Sequence, residues 1–149
     1  MHDPIGAALV LLDMEAPKKG VESSTDPIDN RRRTYTVPTM EGRRQMVTAA
    51  PIRDPMFGER LDVFSICMRD VPADGTLLMG LLASAREFRR VRLCVVGDPT
   101  KRPQLAVIAS ILPDEIHEGA GPRLLHTLRE VAAVADSLEA QLTGGKDVE

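Results

Sequence analysis

The chain has 149 residues, 43% of them hydrophobic and 28% charged, with a formal net charge of −3. That length suits one domain with a packed core, and a mildly acidic total excludes wholesale coating of nucleic acid, which needs a strong basic excess. Tyr35, Phe57, Phe64 and Phe88 are the aromatics and Trp is absent, a scarcity that weakens both a ligand-pocket and a base-stacking reading.

No run of about 18 apolar residues occurs, so no membrane-spanning helix is expected. The start, Met1-His2-Asp3-Pro4, lacks the basic n-region of a signal peptide, and a cytoplasmic location is the expectation. Cys67 and Cys94 each lie inside an apolar strand-like run. They read as small buried hydrophobes of a reducing compartment, with a disulfide open if the two strands are neighbours.

In chain order, residues 4–13 (PIGAALVLLD) form a short apolar run behind Asp3-Pro4. Asp is a good N-cap and Pro suits the first helical position, so a short helix is predicted. It must pack on something, because about ten residues cannot hold a helix alone in water. Residues 15–33 are polar and carry Pro17 and Pro27, which predicts a long loop. Thr34–Val37 and Gln45–Ile52 read as two strands joined by a turn at Met40-Glu41-Gly42. Leu61–Met68 is a stronger strand, with β-branched, aromatic and thiol residues on both faces.

Thr76–Arg90 is predicted as a helix whose apolar face is Leu78, Leu81, Leu82, Ala85 and Phe88. Arg86, Arg89 and Arg90 fall in its last turns, where positive charge suits the helix dipole. Val91–Val96 and Gln104–Leu112 are apolar strands joined by a hairpin-like loop rich in Gly and Pro. Gln104–Leu112 is apolar on both faces and is expected to be covered on both. Gly121-Pro122 opens a last helix running to about Leu142, with an apolar stripe of Leu125, Leu128, Ala132, Ala135, Leu138 and Leu142. Arg123, Arg129, Glu130, Asp136 and Glu139 are placed on its wet side. The end, residues 143–149, reads as a loose tail.

The order is therefore α-β-β-β-α-β-β-α in a single domain over 1–149. Short connections imply the α+β class, a five-stranded, mostly antiparallel sheet with helices packed on it. This order resembles that of the YbjN-like bacterial proteins, which share the fold of type III secretion chaperones. The segment LLMGLLASAREFRRVRLCVVGD is similar to that family's central helix running into its fourth strand. QLAVIASILPDEIHEGAGPRLLHTLREVAAVADSLEAQL is similar to its fifth strand, acidic loop and closing helix, with Ala135-Asp136 near the usual Ala-Asp. The family often has Asn where this chain has Ala83 and Ala85. The first third also departs, with a shorter helix and a longer loop. The resemblance implies a non-enzymatic homodimer that binds other proteins.

Candidate chemistry is thin. His117, Glu118 and His126 beside Asp114 and Glu115 do not have the spacing that returns two zinc ligands to one helix face. Gly119-Ala120-Gly121-Pro122 precedes a helix and could offer free N–H groups to an anion, but the dinucleotide fingerprint is absent and the nearby acids repel phosphate. Neither thiol has a neighbouring base in sequence, and there is no G-x-S-x-G elbow. No catalytic residue, metal or cofactor is assigned.

Two features point to binding. Arg31-Arg32-Arg33, Arg43-Arg44, Arg86/Arg89/Arg90/Arg92 and Lys101-Arg102 are basic clusters that could meet phosphate, RNA or an acidic protein. The helix over 76–90 is apolar on nearly two faces, which asks for a second partner. The expected function is non-catalytic protein binding by a homodimer, chaperone-like or adaptor-like. Leu78, Leu81, Leu82, Arg86 and Arg89 are its candidate partner- or dimer-binding residues. A nucleic-acid-associated regulator using the arginines is the alternative, and a small enzyme ranks behind both.

Overall fold

The computed structural model describes residues 3–56, 58–71, 75–86, 88, 90–97 and 102–143. Helix α1 (Pro4–Glu15) leads through a 3₁₀ turn (Ala16–Lys19) into strand β1 (Glu22–Thr25) and strand β2 (Arg33–Pro38). A second 3₁₀ turn (Met40–Gly42) connects to β3 (Arg44–Asp54), followed by β4 (Gly58–Met68), α2 (Gly75–Ala85), β5 (Arg92–Val96) and β6 (Gln104–Ile111). A third 3₁₀ turn (Pro113–Glu115) precedes the long α3 (Gly121–Thr143).

The strands form one six-stranded sheet in the order β1-β2-β3-β4-β6-β5, antiparallel throughout. The α+β class is as expected, but the sheet has six strands rather than five. The extra strand is β1, inside the segment read as a loop over 15–33. All four of its side chains are exposed, so Glu22-Ser23-Ser24-Thr25 carries no apolar alternation to announce a strand. It is held from outside itself. Ala16 and Val21 are buried just before it, and Asp26 turns the chain back towards β2 by accepting the N–H of Ile28 at 2.8 Å. That bond and a second from Asp29 hold the Asp26 carboxyl below its ordinary pKa.

The last strands do not lie in chain order. β4 and β5 both run antiparallel to β6, which lies between them. They are therefore parallel to each other, and α2 is the crossover that joins them.

The register divides the side chains into two faces. Thr34, Thr48, Phe64, Ile108 and Arg92 make one row across the outer face. Arg33, Ala49, Val63 and Ala109 make a row on the core face. Helices α1 and α3 pack on the core face and on each other. Helix α1 starts as its sequence predicts: Asp3 Oδ1 accepts the N–H of Gly6 at 3.0 Å, and Pro4 stands at the first helical position. Ile5, Leu9 and Leu12 are fully buried. In α3, Leu125, Leu128, Ala132, Ala135 and Leu138 form the buried stripe and Leu142 is half-buried.

Two residues placed on the wet side of α3 are not wet. Asp136 and Glu139 are 7% and 1% exposed. The turn between β2 and β3 folds against this flank of α3 and brings Arg43, whose Nε donates to Asp136 Oδ1 at 2.9 Å. A carboxylate is tolerated away from water only with such a partner.

Cys67 occupies the bulge of β4 between Ile66 and Met68 and is fully buried. Cys94 is opposite Ala106 on β6, whose other neighbour is Ile66. Both thiols are free, which closes the disulfide left open by the sequence. The tail from residue 144 lies outside the described residues.

Candidate protein-binding surface

Helix α2 is shorter than its apolar pattern predicts and ends at Ala85 rather than Arg90. Phe88 N–H closes a turn onto Ala85 O at 3.0 Å, and Phe88 packs with Leu77, Val71 and Leu93 against the core. Leu81 points inward and is 8% exposed. Leu82, one position on and about 100° round the helix, is 61% exposed. Met79, three residues earlier on the same side, is 70% exposed, and Val95 of the adjoining edge strand β5 is 47% exposed. The outward side of α2 is therefore apolar beside an apolar edge strand.

The five expected binding residues separate on this frame. Leu81 is a core residue that anchors α2. Leu82 and Arg86 are exposed, and Arg86 has no ion-pair partner among the described residues. Arg89 and the Leu78 side chain lie outside the described residues. Sequence spacing could not separate Leu81 from Leu82, because α2 is apolar all round. Met79 and Val95 belong to the exposed surface, and only their contact with water identifies them.

Most of the described arginines are engaged within the fold. Arg31 bridges Asp3 at 3.0 Å and Glu59 at 2.7 Å, and Arg32 lies over the Phe64 ring at 5.9 Å. Arg33 pairs with Asp13 at 3.2 Å, and Asp13 also accepts the Tyr35 hydroxyl at 3.0 Å. Arg60 meets Asp54 and Asp62, both at 2.8 Å, and Ser110 joins that cluster by donating to Asp62 at 2.8 Å while accepting from Arg92 at 3.0 Å. Arg90 pairs with Glu115. Burial raises the pKa of the Glu115 carboxyl, but the Leu112 N–H and Arg90 outweigh it and leave it lowered. Clusters that read as a basic patch are thus spread over the molecule and largely neutralised in place.

A concavity of 920 Å³ lies between α3 and the β2–β3 turn. Its walls include Met40, Arg43, His126, Arg129, Ala133 and Asp136. His126 Nε2 is 4.0 Å from Glu130 one turn along the helix. This groove is not legible in the sequence, because its two walls are about 90 residues apart and come together in the fold, where Arg43 pairs with Asp136.

The weaker sequence candidates also find their places. Among the described residues, no three His, Cys, Asp or Glu come together to hold a metal ion. The start of α3, read as a possible anion site, is approached by the chain's own Glu15. A Cβ on Gly121 would lie 2.8 Å from Glu15 Cγ, so glycine here lets the end of α1 meet the start of α3, and the carboxylate stands where the helix dipole favours negative charge. Burial pushes the Cys67 thiol up to about 12 and also raises that of Cys94. Neither is a thiolate at neutral pH. No helix among the described residues is long and apolar enough to cross a membrane.

An antiparallel sheet with its first and last helices on one face and a third helix crossing between strands is an architecture similar to that of the type III secretion chaperones. The Yersinia pestis type III secretion chaperone SycH, solved in complex with a stable fragment of YscM2, matches with a TM-score of 0.52 over 88% of this chain and 98% of the SycH chain, at 17% identity. At that identity the likeness establishes the fold. No family model matches the chain, and no curated protein matches its sequence.

Proposed function

We propose that the chain is a YbjN-like, non-catalytic protein-binding module of the cytoplasm, chaperone-like or adaptor-like, that acts as a homodimer and forms a single domain. The observation that carries this reading is the outward side of α2 with its neighbour β5. Met79, Leu82 and Val95 expose apolar area to water, near Arg86, which has no ion-pair partner among the described residues. Large apolar side chains grouped in this way mark interaction sites rather than ordinary surface. The likeness to SycH, a chaperone solved with a protein fragment bound, supports the same class of job. The engagement of the arginines within the fold weighs against the nucleic-acid alternative.

A two-fold contact would set α2 of one copy against α2 of another, so that each Leu82 meets the other copy's apolar side. Leu82→Glu tests it. Light scattering should report a dimer for the parent and a monomer for the variant, with unchanged circular dichroism. A parent that is monomeric at high concentration, or a variant that keeps the dimer mass, refutes the α2 contact. Client binding is tested separately, by tagged capture from native lysate with and without nuclease. Protein partners that survive nuclease and moderate salt support the module, and partners that vanish with nuclease refute it.

A further inference from the structure

We draw no further inference here: the strongest candidate, the outer face of the sheet where Met46 and Ile52 are exposed beside half-buried Phe64 and Ile66, is an apolar sheet face, and nothing among the described residues shows what covers it.

Discussion

Tyr35 is the chain's one tyrosine, and it is fully buried with its hydroxyl on Asp13. Burial, and then the Asp13 carboxylate, raise its pKa far above the ordinary value. The folded state therefore holds the phenol proton more tightly than the unfolded chain does. Its stabilising contribution is complete below about pH 10, where the unfolded tyrosine still keeps its proton, and is lost as the pH climbs beyond that. We expect native protein to show no phenolate absorbance through pH 10, with the signal rising only as the fold is lost, whereas chain in urea titrates near 10. A native titration at the ordinary value would show that Tyr35 is not buried. The thiols should differ in the same spirit. Cys94, half-buried, should react with a thiol reagent before the fully buried Cys67, which should wait for unfolding. Simultaneous reaction in the native state would contradict the placement of Cys67 in the bulge. The residue scale is also where sequence was least informative. Asp136 looks like a solvated acid on α3 until a turn about 90 residues upstream delivers Arg43, and Glu139 beside it is buried as well.

The elements that announced themselves did so through local chemistry. Asp3-Pro4 marked the start of α1, the Gly- and Pro-rich loop marked the β5–β6 hairpin, and the stripe of α3 followed a helical period into the core. Those signals are short-range, so one sequence suffices to read them. Strand β1 was invisible because an edge strand with no buried side chain is defined by its backbone partner alone. The inward and outward sides of α2 were equally illegible, since both are apolar and only β5 decides between them. Leu128, fully buried in α3, should be among the costly positions. Leu128→Ala should lose about 2–5 kcal/mol, a fall in Tm of roughly 2–4 °C for each kcal/mol at this chain length. Removing residues 14–30 should also lower Tm by many degrees, because it deletes the buried Ala16 and Val21 together with β1. An unchanged Tm after that deletion would mean the segment contributes nothing to the packed structure.

At the scale of the molecule, the proposed dimer makes stability depend on concentration. If two copies bury the α2 face, Tm should rise as protein is added, because association draws on the folded state alone. The Leu82→Glu variant should melt at one temperature whatever its concentration. Identical concentration dependence in both proteins would place the contact elsewhere. The contact between α1 and α3 has a further consequence during synthesis. Ile5, Leu9 and Leu12 leave the ribosome long before α3, the helix they lie against, has been made. At roughly 5–20 residues per second, the nascent chain carries that greasy stripe uncovered for several seconds or more. During that interval the growing chain is itself a client, exposed to whatever holdase or sticky neighbour reaches it first, and only the arrival of α3 ends the exposure.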